Sequence, residues 1–174
     1  MWGRVLVAAT LLGSLAAWGG AGEAPRPEAG PRPTPVPATA VGDVIAPFEA
    51  MGIDGQKHTV DFPKGSKTVL LFFLSGCPHC HKMIPEWNRA FKAKPASLKV
   101  QGVVIDPDPP GAPAAFFIMM PIEFPVLRTP GRAVLDAMKV FRVPVMMRVG
   151  PGGKVEDAAQ GEMDRMRVEA IFKP

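Results

Sequence analysis

The chain of 174 residues lacks tyrosine, contains two cysteines and carries almost balanced charge. Its formal net charge is +4, and the basic residues are scattered rather than gathered in runs. A nucleic-acid surface needs a basic stripe with interleaved aromatic side chains, so the sequence argues against a nucleic-acid partner. Because there are two cysteines, a disulfide between them would leave none to crosslink the rest of the fold.

The N-terminus has an apolar run, Val5–Ala17, that is short for a membrane span of about 20 residues. Arg4 precedes this run and small residues follow it at Gly19–Gly22, as in a signal peptide with its cleavage site. We therefore expect residues 1–22 to be an export signal, or an N-terminal anchor if they are retained. The predicted location is the periplasm or another exported compartment, with membrane attachment in the second case.

Residues 23–41 are rich in proline. The prolines that mark this segment are Pro25, Pro27, Pro31, Pro33, Pro35 and Pro37. Such a density excludes a helix or a central strand and predicts an extended, semi-rigid linker. Residues 42–174 then have the length of one domain.

Strand-like and helix-like segments alternate in residues 42–174. A hairpin is predicted over Pro47–Phe62, with Asp54-Gly55 at its turn. Further strands are predicted at 67–75, 98–106, 124–127, 145–149 and 154–158, and helices at 78–93, 112–120, 131–141 and 164–172. The strand at 67–75 lacks alternation, which indicates burial on both faces. The pattern predicts an α/β fold with a mixed central β-sheet flanked by helices.

Both cysteines lie in one motif, Cys77-Pro78-His79-Cys80, which follows the apolar run Val69–Leu74 and opens a predicted helix. A cysteine acts as a nucleophile only as its thiolate, which the free N–H groups at a helix N-terminus stabilise. Pro78 suits the first helical turn, because the N–H that it lacks would have no partner there. The motif therefore predicts a redox-active dithiol.

The spacing also assigns roles within the motif. His79 can supply a hydrogen-bond donor or a positive charge near the Cys77 thiolate. Cys80, one turn further along, can attack a mixed disulfide formed at Cys77 and release the partner. The candidate catalytic residues are thus Cys77, Cys80 and His79, and this chemistry needs no bound cofactor and no metal.

A c-type haem is an alternative, because Cys77 to His81 also spell C-x-x-C-H. The cysteines would then be thioether anchors and His81 an axial ligand. The apolar strand before the motif and the alternation of strands and helices after it argue against haem, since haem domains of this size are mostly helical.

Copper binding is a second alternative. Its soft ligands would be Cys77, Cys80, His81 and Met83. Four other methionines are better explained as core residues or as the lining of a substrate groove, namely Met119, Met120, Met146 and Met147. Zinc would require two further ligands, and the sequence has no second C-x-x-C and no H-x-x-x-H.

Three features together resemble the thioredoxin superfamily: Gly76–Cys80 after an apolar strand, Pro85 in the following helix, and Val143-Pro144 before a strand. From Gly42 to Ile171 the order of elements is similar to the TlpA/ResA-like branch of exported thiol–disulfide oxidoreductases, a redoxin domain. The resemblance implies a thioredoxin-like fold with an N-terminal β-hairpin. It also implies that Pro144 is a cis-proline facing the dithiol.

By the same resemblance, Val143, Pro144, Gly76 and Pro78 would contact the substrate, and the substrates would be cysteine pairs of exported proteins. Apocytochrome c would be one such substrate, and a membrane thiol-redox carrier would be the redox partner. A cis X-Pro bond leaves the preceding backbone, here that of Val143, free to pair with an extended segment.

The chain departs from the family pattern at several positions. Gly76 replaces the usual tryptophan, and Met83 stands where an acidic proton acceptor is often found, which raises the question whether Glu86 takes its place. The Pro-His dipeptide and Val143 resemble the oxidant DsbA instead, so the direction of electron flow is left open. Leu74 occupies the position where a peroxidase would need threonine.

Overall fold

The computed structural model describes residues 38–106 and 112–174. The predictions for residues 1–22, and for all of the linker except its last four residues, lie outside this part of the chain. None of the helices in the described ranges combines the length and the apolar character that crossing a bilayer would require.

Seven strands and four helices are formed by the described residues. The strands are β1 Phe48–Met51, β2 Lys57–Val60, β3 Lys67–Phe73, β4 Leu98–Val104, β5 Val126–Arg128, β6 Val145–Val149 and β7 Val155–Gln160. The helices are α1 Pro78–Ala93, α2 Ala112–Met119, α3 Arg132–Ala137 and α4 Arg165–Ile171, with a 3-10 turn at Pro151–Gly153. Each predicted element is present, with ends that shift by a few residues.

The strands form a five-stranded sheet in the order β5-β4-β3-β6-β7, and β1 and β2 form a separate antiparallel hairpin. Strands β3, β4 and β5 are parallel, whereas β6 runs antiparallel to β3 and β7 antiparallel to β6. The predicted mixed sheet with an N-terminal hairpin is thereby confirmed. Parallel neighbours end at the same edge of the sheet, so the segments after β3 and β4 lie side by side.

Strand β3 is buried on both faces, as its unbroken apolar run predicts. On one face Val69, Leu71 and Phe73 pack in a core with residues of α1, α2 and α4. On the other face Leu70 and Phe72 pack with residues of the hairpin and α3. A fully buried side chain of this size contributes about 1.5–3 kcal/mol, so this strand anchors both layers.

Helix α1 is held against the sheet by an apolar face that begins at the dithiol. Its buried residues Cys80, Met83, Ile84 and Trp87 recur at intervals of three or four, which places them on one side of the helix. The Trp87 side chain donates its Nε1–H to the Met146 sulfur at 2.9 Å. This packing fixes the position of the helix N-terminus.

Helix α3 ends earlier than predicted. The sequence pattern extends it to Phe141, whereas the structure ends it at Ala137. Lys139 adopts a left-handed backbone with φ of 57°, and the Val140 N–H then donates to the Leu135 carbonyl at 2.9 Å. A left-handed residue followed by such a bond terminates a helix.

The turn between β6 and β7 contains one position, 153, at which the structure accommodates only glycine. Gly153 has φ of +84°, and a Cβ there would lie 2.0 Å from the Ile45 carbonyl oxygen. We expect Gly153→Ala to lower the free energy of unfolding by about 3 kcal/mol or more, measured by urea denaturation. The control is Gly152→Ala, because Gly152 also has a positive φ but its Cβ would meet nothing within 4 Å. That variant should lose about 1 kcal/mol, and equal losses would contradict the steric explanation.

Candidate active site

Cys77 is the N-cap residue of helix α1. Its backbone is extended, and its sulfur accepts the Cys80 backbone N–H at 3.4 Å. Pro78 follows at the first position of the helix, as predicted. A sulfur at this position receives the electrostatic benefit of the helix N-terminus, which is largest for a thiolate.

Cys80 lies one turn deeper, and its side chain is fully buried whereas that of Cys77 is partly exposed. Burial raises the pKa of the Cys80 thiol to about 12, and its hydrogen bond to the Cys77 sulfur acts in the same direction. Electrostatic interactions with Cys77 and Asp106 are smaller causes in the same direction and contribute to this raised pKa. The two sulfurs therefore differ in accessibility, and Cys80 keeps its proton while Cys77 faces solvent.

His79 is exposed and its imidazole points toward the end of the sheet, where its Nδ1 hydrogen-bonds the Glu162 carboxylate. The same carboxylate accepts from the Lys82 ammonium at 2.8 Å. These two contacts, with Lys82 the stronger, lower the pKa of Glu162. The imidazole of the predicted tuning residue His79 is therefore bound by a carboxylate that lies 83 positions along the chain.

The turn Gly161–Met163, which we call the bridging turn, brings the predicted substrate residues next to the dithiol helix. Its Gly161 N–H donates to the Pro144 carbonyl at 2.8 Å. Its Met163 N–H donates to the Met83 sulfur of α1 at 3.3 Å. The peptide bond between Val143 and Pro144 is cis.

Val143 is half-buried and packs against the same apolar core as Cys77. Within the described residues its backbone makes no hydrogen bond. Gly76 and Pro78 are exposed beside Cys77, and a Cβ on Gly76 would meet nothing within 4 Å. The structure thus gathers all of the predicted site residues at one edge of the sheet.

The backbone of Ser75, just before the motif, is held on both sides. Its N–H donates to the Asp106 carboxylate at 2.8 Å, and its carbonyl accepts from His81 Nε2 at 2.6 Å. The His81 ring also stacks on Phe116 of α2, with centroids 5.4 Å apart. These contacts half-bury His81, although it lies in the first turns of a helix whose neighbouring residues His79 and Lys82 are exposed.

Several side chains that the haem and copper alternatives need as ligands either make other hydrogen bonds or are buried. His81 Nε2 donates to a carbonyl, and the Cys80 sulfur is buried. Met146 and Met147 are fully buried core residues, as predicted, and Met83 accepts an N–H from the bridging turn. In residues 38–106 and 112–174, no group of three or more histidine, cysteine, aspartate or glutamate side chains is arranged to hold a metal.

Residues 41–158 match the AhpC/TSA family, which covers more than half of the chain and includes the dithiol. The chain belongs to the AhpC/TSA family. Among the curated relatives of this chain, the thiol–disulfide oxidoreductase ResA of Bacillus anthracis is 23% identical to it over 135 residues. That alignment covers 76% of this chain and 77% of the relative. An equally similar ResA comes from Bacillus thuringiensis strain Al Hakam.

Solved structures show the same fold. StoA from Bacillus subtilis superposes with a TM-score of 0.63 at 22% identity, covering 75% of this chain and 99% of that one. The exposed lipoprotein thioredoxin Etrx1 of Streptococcus pneumoniae gives 0.62 at 25% identity, with 73% and 98% covered. The fold is therefore thioredoxin-like, and this AhpC/TSA member is an enzyme, a thiol–disulfide oxidoreductase.

Two carboxylates of the site, those of Asp106 and Glu162, were not among the residues predicted from sequence. Asp106 follows β4, and the motif follows β3. Because β3 and β4 are parallel neighbours, the residues after both strands lie at the same end of the sheet, so Asp106 is expected beside the motif. That signal could have found it. Glu162 carries no such signal, because its contact with His79 depends on the conformation of the bridging turn.

The unequal burial of the two sulfurs predicts selective alkylation. At about pH 7.5 iodoacetamide should label Cys77 and leave Cys80 unmodified, because Cys80 is inaccessible and protonated. Peptide mass spectrometry of the folded and the urea-unfolded protein measures this difference. The Cys77→Ser variant should take no label until it is unfolded, and labelling of its folded form at neutral pH would contradict the assignment.

The contact between Glu162 and His79 predicts a small effect on the reduction potential. Glu162→Gln removes a negative charge beside the helix N-terminus and so stabilises the reduced, thiolate-bearing protein. We expect the potential, measured against glutathione, to become less negative by roughly 10 mV, the size suited to an exposed charge. The matched control is Glu169→Gln, which breaks the pair with Arg165 on α4 and should leave the potential unchanged. If both variants shift the reduction potential equally, the effect comes from net charge and not from the contact with His79, and the prediction is wrong.

Proposed function

We propose that this enzyme exchanges dithiol and disulfide with cysteine pairs of exported proteins through Cys77 and Cys80. The observation that carries the proposal is the pairing of a half-exposed sulfur at a helix N-terminus with a buried second sulfur one turn below. This arrangement suits a two-step exchange, in which one cysteine meets the partner and the other releases it.

In the reductive direction the Cys77 thiolate attacks one sulfur of a substrate disulfide. A bond forms between Cys77 and that sulfur, and the other substrate sulfur leaves as a thiolate. The Cys80 thiolate then attacks the Cys77 sulfur, which releases the second substrate thiolate and leaves a Cys77–Cys80 disulfide. Two electrons have passed to the substrate, and the oxidative direction is the same sequence reversed.

Val143 and Pro144 are proposed as the docking point for the substrate backbone. Support comes from the Val143 backbone, which makes no hydrogen bond within residues 38–106 and 112–174, and from the hydrogen bond that ties Pro144 to the bridging turn beside α1. An extended segment pairing with Val143 would bring its cysteine to the open side of Cys77, where Gly76 has no side chain and Pro78 forms the rim.

The surface next to the dithiol also suits apolar substrate segments. Helix α2, whose Phe116 stacks on His81, leaves Ile118 84% exposed and Met119 78% exposed. Apolar surface of this kind can bind chains whose own apolar side chains are not yet buried. Unfolded exported proteins, apocytochrome c among them, have that property.

The remaining parts of the proposal concern location and partners. We propose that residues 1–22 direct export or anchor the chain, that residues 23–41 space it from the membrane, and that residues 42–174 are the catalytic domain. The enzyme then acts in the periplasm or another exported compartment. A membrane thiol-redox carrier would restore the dithiol after each turnover.

The proposal predicts that reduction of insulin by dithiothreitol is accelerated by the wild-type protein and not by Cys77→Ser, because only Cys77 can begin the exchange. The turbidity of the released insulin chains measures the rate. Cys80→Ser is the matched variant, since it keeps the first attack and should instead accumulate a mixed disulfide at Cys77. Unchanged activity of Cys77→Ser, in a protein with the wild-type unfolding temperature, would overturn the proposal.

The potential of the Cys77–Cys80 couple then decides the direction. A value near thioredoxin's, about −270 mV, assigns the enzyme to reduction, and one near DsbA's, about −120 mV, assigns it to oxidation.

A further inference from the structure

The second step of the exchange requires Cys80 to lose a proton that its surroundings hold firmly. Its sulfur is fully buried, and a thiol in such a place has little thiolate at neutral pH. A base within reach would remove this obstacle. Met83, where related enzymes often carry an acid, is itself buried and cannot accept a proton.

Glu86 does not fill that role. It lies off the buried face of α1 that carries Cys80, Met83 and Trp87, and its carboxylate pairs with Arg89 on the same helix. Glu162, the other carboxylate near the motif, is shared between His79 and Lys82 on the exposed side. Both carboxylates are therefore engaged away from the buried sulfur.

Asp106 approaches the dithiol from the opposite side, at the end of β4. The Ile105 N–H donates to the Phe73 carbonyl at 2.9 Å, which extends the pairing of β3 and β4 to the start of the active-site loop. Asp106 Oδ1 then accepts the Ser75 N–H at 2.8 Å. Its other oxygen, Oδ2, is buried and has no hydrogen-bond partner in the described part of the chain.

A buried carboxylate oxygen without a hydrogen-bond partner has lost its hydration without compensation, so its presence in a folded protein calls for an explanation. The charge of Asp106 is the smallest of the causes that raise the pKa of the Cys80 thiol, which places the carboxylate within electrostatic reach of that sulfur. The other titratable groups at this point are Cys77 and His81, and His81 is occupied by the Ser75 carbonyl. Of the carboxylates near the motif, Asp106 therefore offers an oxygen, Oδ2, that is buried, has no partner within the described residues and belongs to a group whose charge acts on Cys80.

We propose that Asp106 is the base that deprotonates Cys80 when the mixed disulfide is resolved, an inference that rests on the proposed function. The proton of the Cys80 thiol passes to Asp106 Oδ2, directly or through one water molecule. The Cys80 thiolate attacks the Cys77 sulfur, the bond between Cys77 and the substrate breaks, and its electron pair leaves on the substrate sulfur. Proton transfer also neutralises Asp106, so the new thiolate no longer faces a negative charge.

The test follows one mixed disulfide through both steps. Reduced protein is mixed with oxidised glutathione, quenched with acid at intervals and analysed by mass spectrometry for glutathione on Cys77. In Asp106→Asn the amide oxygen can still accept the Ser75 N–H, but the base is gone. We expect the adduct to form at the wild-type rate within about twofold and to resolve about ten- to a hundredfold more slowly.

Glu86→Gln is the matched control and should resolve its adduct at the wild-type rate. If Asp106→Asn resolves as fast as the wild type, or slows both steps equally, the inference about Asp106 is wrong while the proposed function stands. If wild-type Cys77 forms no adduct, the proposed function fails as well.

The pH dependence of the wild type is an independent test that needs no variant. A thiol that ionises without a base would resolve tenfold more slowly for each unit below about pH 8, because its thiolate fraction falls by that factor. With Asp106 as the base, the proton passes from one side chain to the other, so the rate should stay nearly constant from about pH 8 to pH 6. A tenfold fall per unit would overturn the inference.

Discussion

The burial of β3 between two layers is the constraint on which the rest of the structure depends. Its side chains supply the centre of both apolar cores, so the strand cannot shift along its axis without disturbing either. Because the strand is fixed, the point at which the chain leaves it after Phe73 is fixed too. The loop from β3 to α1 is short, and the position of the Cys77 sulfur at the end of the sheet is therefore fixed.

The active-site loop gains its rigidity from backbone contacts more than from its own side chains. Ser75 is held through its N–H by Asp106, which follows β4, and through its carbonyl by His81 of α1. Such support from outside the motif keeps a reactive group oriented when its own residues are small or exposed. Gly76 can lack a side chain because the position of Cys77 does not depend on one.

Much of the fold and of the candidate site could be predicted from the sequence. The burial of the apolar run at 69–74, the hairpin over Pro47–Phe62 and the start of a helix at Pro78 each follow from local physical chemistry, and the structure agrees with them. Contacts made by long-range pairing were not accessible, which is why Glu162 and the surroundings of His81 were missed. Helix α3 was overextended because a left-handed lysine has no local signature.

The bridging turn has a mechanical consequence. Three consecutive residues touch the carbonyl of Pro144, the imidazole of His79 and the sulfur of Met83. The Pro144 carbonyl and the side chain that lies between the two cysteines are therefore connected through three consecutive residues. The segment proposed to bind a partner and the ion pair beside the motif are thus joined through one turn, which begins at a glycine with φ of +87°.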